Sequence, residues 1–81
     1  MNDTLSKVQL AFKTAFSVDA ASITIDTVPA DVPAWDSMGH VALVSNLEEV
    51  FGLNFDVDEV MDMENVRQIV KMVEAKLAKK V

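Results

Sequence analysis

The stretch from Ser37 to Phe51 has a helix start and a helix stop written on either side of it. Asp36 precedes it, and an aspartate there can accept hydrogen bonds from the free N–H groups of a first helical turn. Gly52 follows it, where a helix ends most easily in a left-handed residue. Apolar residues recur at helical spacing from Val41 onward. At roughly 100° per residue, Leu43, Val44, Leu47, Val50 and Phe51 form one stripe. Met38, Ala42, Ser45 and Glu49 fall on the opposite face, toward solvent. A helix built this way needs other elements to cover its stripe.

The remaining sequence supplies them as helices. Leu5, Val8, Phe12 and Phe16 recur at spacings of three and four, so an amphipathic helix is expected over Asp3 to Phe16, capped by Asp3 or Thr4. Asp56-Val57-Asp58-Glu59 is a capping box that opens a short helix through about Met61. Asn65-Val66-Arg67-Gln68 is a second box, opening a last helix with the stripe Val66, Ile69, Val70, Val73 and Leu77. Lys76, Lys79 and Lys80 near its end suit the negative end of the helix dipole.

From Ser17 to Trp35 the helical pattern breaks, and Pro29 and Pro33 exclude a continuous helix. Ile23-Thr24-Ile25 alternates like a strand but has no second strand to pair with. A long loop is expected, with one short helical turn near Val18 to Ile23. Ile23, Ile25, Val28, Val32 and Trp35 would anchor it across the helix ends. The fold class is therefore all-α: a small four-helix bundle, three longer helices and one short, with a long loop between the first two. Its core should comprise Leu5, Val8, Phe12 and Phe16, then Leu43, Leu47 and Phe51, then Val66, Ile69, Val70 and Val73.

Composition narrows the function. The chain has 81 residues, the length of one domain, and can bury only one thin core. Thirteen Asp and Glu against seven Lys and Arg leave a net charge of −6, which argues against nucleic acid and suits basic protein partners. With no cysteine there is no disulfide, thiolate metal site or cysteine nucleophile. No apolar run is long enough to insert in a membrane. Met1-Asn2-Asp3-Thr4 lacks the features of a signal peptide, so a cytoplasmic location is the expectation.

Ser37 is the residue best placed for chemistry. It would occupy the first helical position, where unpaired N–H groups and the dipole favour a phosphate. Asp36, Ser37 and His40 also invite a small serine hydrolase, since residues three apart share a helix face. A triad needs an oxyanion hole and a substrate pocket, and nothing in the sequence supplies either. His40 lies on the apolar side of the helix and is expected beneath the loop, donating to a backbone carbonyl. Asp56, Asp58 and Glu59 suggest a calcium loop, but Met61 stands where such a loop needs glycine, and a helix cap is the simpler reading. Trp35 is expected to anchor the loop.

Asp36-Ser37-Met38 at a helix start, followed by Leu43-Val44 and Leu47-Glu48-Glu49-Val50-Phe51-Gly52, resembles the acyl carrier proteins, including peptidyl and aminoacyl carriers. The short helix after Phe55-Asp56 and the last helix after Asn65-Val66 extend the resemblance over most of the chain, residues 1–81. It implies a non-catalytic carrier with 4′-phosphopantetheine attached to Ser37, flanked by the motif residues Asp36 and Met38. The arm would hold an acyl group as a thioester and pass it between biosynthetic enzymes. A phosphopantetheinyl transferase and acyl-loading and acyl-using enzymes would be the partners of a monomeric protein. They would meet Met38, Ala42, Ser45 and Glu49, with charge from Glu48 and Asp58. Trp35-Asp36-Ser37-Met38-Gly39-His40 is more like discrete carriers of specialised pathways than like those of fatty acid synthesis, and D-alanyl carriers share Asp-Ser-Met-Gly. An aminoacyl or D-alanyl carrier is thus one alternative; a helical interaction module with Ser37 unmodified is another.

Overall fold

A computed structural model describes residues 3–80, with side chains from 4 to 79. It contains α1 (Asp3–Phe16), α2 (Ser37–Phe51), α3 (Val57–Met61) and α4 (Val66–Lys80). No strand forms among the described residues. The four-helix, all-α expectation holds, and each helix lies where its sequence pattern predicts. α1 already includes Asp3 and Thr4, so neither flanks it, and what precedes them lies outside the described residues, as does the Lys80 side chain.

α1 packs along α2 and also touches α4. Val8, Ala11 and Phe12 of α1 meet Leu43, Val44, Leu47 and Phe51 of α2 and Val66, Ile69, Val70 and Val73 of α4 in one buried cluster. Leu5 and Phe16 are only partly buried and pack at its edge. Phe12 is the aromatic centre, with its ring edge-on to Phe16 at 5.6 Å and to Trp35 at 5.0 Å between centroids. Offset and edge-on ring pairs add attraction beyond area burial because ring faces and edges carry opposite partial charge.

The long connection is built from tight turns and long-range bonds. Ser17 ends α1 in the left-handed region (φ 57°), its N–H donating to the Lys13 carbonyl at 2.9 Å. The expected helical turn is a 3₁₀ turn at Ala20–Ser22, capped by Asp19. A second turn, at Pro29–Asp31, uses the Pro29 ring where a missing N–H costs nothing. Of the expected loop anchors, Ile23, Val32 and Trp35 are buried, Ile25 is half-buried and Val28 is exposed. Gln9 Nε2 donates to the Ile23 carbonyl at 2.7 Å, fastening the loop to α1. The Val66 N–H donates to the Thr27 carbonyl at 3.1 Å, so the loop also caps α4.

α3 has five residues and buries none of them fully. Asp56 Oδ1 accepts from the Glu59 N–H and Glu59 Oε1 accepts from the Asp56 N–H, both at 2.9 Å, completing the capping box. Lys76 of α4 reaches both Glu59 oxygens at 2.9 Å, with its ammonium 5.5 Å from the Phe55 ring centroid. Lys76, one of the lysines toward the end of α4, thereby ties α3 to α4.

Candidate functional site

The start of α2 is set by three neighbouring residues. Asp36 has extended backbone and its Oδ1 accepts from the Gly39 N–H at 2.8 Å, while its carbonyl accepts from the His40 N–H at 2.7 Å. Asp36 thereby serves the later N–H groups of the first turn. Those of Ser37 and Met38 carry no bond among the described residues. Ser37 follows immediately and is exposed. Gly39 lets this turn come close to the loop. A Cβ there would stand 1.9 Å from the Ala34 carbonyl oxygen and 2.9 Å from Phe16 Cε1. The sequence marks Gly39 only as a variation on the family motif; its necessity comes from a contact with a residue ahead of the helix.

His40 joins three elements. Its Nδ1 accepts from the Trp35 indole N–H at 2.8 Å, and its Nε2–H donates to the Val60 carbonyl of α3 at 2.9 Å. The two ring planes lie within 19° of each other, joined edge to edge. Indole nitrogen can only donate, so this pair fixes the neutral Nε2–H tautomer. The expected donation to a backbone carbonyl is there, and the carbonyl belongs to α3. With both ring nitrogens engaged, His40 does not act as a base toward Ser37, and the hydrolase alternative loses its central residue.

Beside Ser37 opens a groove of about 350 Å³, lined by Pro29, Trp35, Asp36, Ser37, His40, Val60, Met61 and Met63. Its walls are mostly apolar, and the exposed serine stands at its rim. An exposed hydroxyl, free first-turn N–H groups and a groove alongside fit a phosphate-linked arm. Around the groove the surface is apolar: Met38 is 84% exposed, Val41 67%, Met61 71% and Val57 73%. Val41, counted with the recurring apolar residues of α2, therefore points out rather than in.

The other expected surface residues divide. Ala42, Ser45 and Glu49 are exposed on α2, and Asp58 is exposed in the first turn of α3. Glu48 differs from them. It is half-buried, and its Oε2 accepts from the Phe55 N–H at 2.9 Å, holding the loop that leads into α3. The backbone hydrogen bond from Asp56 and then the Lys76 ammonium hold the Glu59 carboxyl below its ordinary range. Asp56 and Glu59 are thus occupied with each other's backbone and with Lys76, as a cap rather than as an ion site.

Comparison with known proteins bears on the same serine-bearing helix start. Residues 6–73 match the family model described as the phosphopantetheine attachment site. The chain is 32% identical to the acyl carrier protein of Trieres chinensis over 79 residues, covering 96% of this chain and 98% of that one. It is 42% identical over 45 residues to chloroplastic acyl carrier protein 1 of Spinacia oleracea, a match spanning 56% of this chain but only 33% of the spinach protein. Among solved structures, the solution structure of holo acyl carrier protein from Geobacter metallireducens superposes with a TM-score of 0.83 at 32% identity, covering 95% of this chain and 88% of that one. Family match, full-length relative and fold agree, and the chain belongs to the acyl carrier proteins, carriers whose cofactor is 4′-phosphopantetheine.

Proposed function

We propose that Ser37 is the attachment residue and that the 81 residues act as one non-catalytic, monomeric, cytoplasmic carrier unit. The observation that carries this reading is an exposed hydroxyl at the first position of α2, beside first-turn N–H groups that bear no bond among the described residues. A phosphodiester there sits at the positive end of the helix dipole. Asp36 holds the turn in shape, and Gly39 lets it seat against Ala34. When bound, the arm supplies a terminal thiol that carries an acyl group as a thioester, chemistry that this cysteine-free chain does not contain.

A phosphopantetheinyl transferase and the enzymes that load and use the acyl group would meet the surface around Ser37. Met38, Val41 and Met61 offer an apolar centre, while Glu49 and Asp58 give the rim negative charge. Interfaces of this make-up bind through buried apolar anchors, and rim charge mainly steers the encounter. Basic enzyme surfaces are the complement. Glu48 contributes less, because its carboxylate holds Phe55.

Intact mass before and after incubation with coenzyme A and a broad-specificity transferase tests the attachment. Wild type gains one phosphopantetheine and Ser37→Ala gains none, with matching circular dichroism. An equal gain in both would refute Ser37, and no gain in wild type would favour an unmodified interaction module.

A further inference from the structure

The groove beside Ser37 and the interior of the bundle are separated by a bonded pair of rings. We infer that Trp35 and His40 form a latch across the cleft between α2 and α3, making this a carrier of short or polar acyl groups that stay in the groove. The inference rests on Ser37 being the attachment residue.

The groove floor includes Trp35 and Met63, which are 6% and 3% exposed and belong to the buried core cluster. Trp35 stands edge-on against Phe12, so what lies below the floor is the close-packed centre. An apolar chain reaching from Ser37 into that centre has to part Trp35 from His40, or His40 from Val60. Each parting breaks a hydrogen bond of 2.8 or 2.9 Å. The indole N–H of Trp35, a residue only 6% exposed, loses its partner in the first case, and leaving a largely buried donor unpaired is costly. α3 does not swing aside freely either, since Glu59 is bound to Lys76 on α4. Close-packed interiors hold few voids, so admitting a chain demands repacking of the centre as well as one of these broken bonds. A two-carbon group fits the groove and needs none of them.

The experiment compares acetyl and octanoyl forms of the protein, made with the corresponding acyl-coenzyme A and a broad-specificity transferase, each checked by intact mass. In wild type the two forms melt within about 1 °C of each other, below the shift that one kcal/mol of added stabilisation would produce in a domain this size. The Trp35 indole proton keeps its chemical shift and its slow exchange in both. Trp35→Phe keeps a ring against Phe12 and removes only the N–H, and His40→Ala removes the bridge to α3. In either variant the octanoyl form melts at least about 4 °C above its own acetyl form. An octanoyl wild type that melts as far above its acetyl form, or that loses indole protection, would overturn the latch. So would variants whose two forms still melt together. Absence of any mass gain defeats the attachment reading, whereas equal melts in correctly loaded variants defeat the latch alone.

Discussion

The helices α2 and α3 are each capped by an aspartate, and they begin differently. At α2, Asp36 accepts from the Gly39 N–H, but the third residue has no side chain to return the bond. At α3, Asp56 accepts from Glu59 and Glu59 accepts in return, with Lys76 closing over the outside. The same capping residue thus gives an open helix mouth in one place and a closed one in the other. The residue three positions on makes the difference. An open mouth leaves N–H groups free beside Ser37 for a phosphate. A closed box gives a five-residue helix enough support to stay docked, which its own burial does not provide.

Gly39→Ala strikes the open mouth hardest. Alanine improves helix propensity at an ordinary site by up to about 1 kcal/mol, but here its Cβ meets the Ala34 carbonyl oxygen. The clash outweighs the propensity, with a net loss of about 2 kcal/mol expected in denaturant melts, as for other overpacked sites. Loading at Ser37 slows as well, because the turn that carries it is displaced.

Asp36→Ala comes next and costs about 1 kcal/mol, the usual value of an N-cap. Asp36→Asn keeps an acceptor oxygen and most of that stability. If both substitutions left the melting point alone, the cap would not be holding the mouth in shape.

Glu59→Gln sharpens the other half of the comparison. Its amide oxygen can still accept from the Asp56 N–H, but the pair with Lys76 becomes a neutral contact. The Glu59 carboxyl sits below its ordinary value in the folded protein, so its stabilisation is present above the normal carboxylate range. That stabilisation is lost as pH falls through the lowered value. Wild type therefore loses this contribution in acid and the variant has none to lose, so the difference between their melting temperatures shrinks as pH falls. A constant difference at every pH would mean that the ion pair contributes nothing.

Ala42→Lys is the smallest perturbation to stability, within about 0.5 kcal/mol, as expected for an exposed position. Its effect belongs to encounter with basic enzymes, where neutralising the charge of the strip slows acyl transfer. Unchanged kinetics would remove this face of α2 from the docking surface.

Most of the helical frame was legible from the chain because its signals are local. Asp36, Gly52, Asp56 and Asn65 each act on backbone a few residues away. The site was legible in part for the same reason, since Ser37 follows its cap directly. The unread features join residues far apart in sequence. Nothing near Thr27 announces that its carbonyl will cap Val66, and Glu48 looks like a surface acid until Phe55 folds back to it. Met63 follows a short helix with no periodic pattern to mark its burial. The wheel placed His40 on the inner side of α2, but not between an indole and a carbonyl twenty residues away. Gly39 is similar, because only the path of the loop through Ala34 makes a side chain there impossible.

Ser37 and Ser45 lie on the same helix and both are exposed, yet only Ser37 stands at the helix mouth. Peptide-level mass spectrometry of protein purified from its own host compares them directly. Phosphopantetheine on Ser37 and none on Ser45, Ser6, Ser17 or Ser22 is the expected result. The group on Ser45, or on any serine away from the start of α2, would contradict the claim that an open, singly capped helix mouth presents the attachment site.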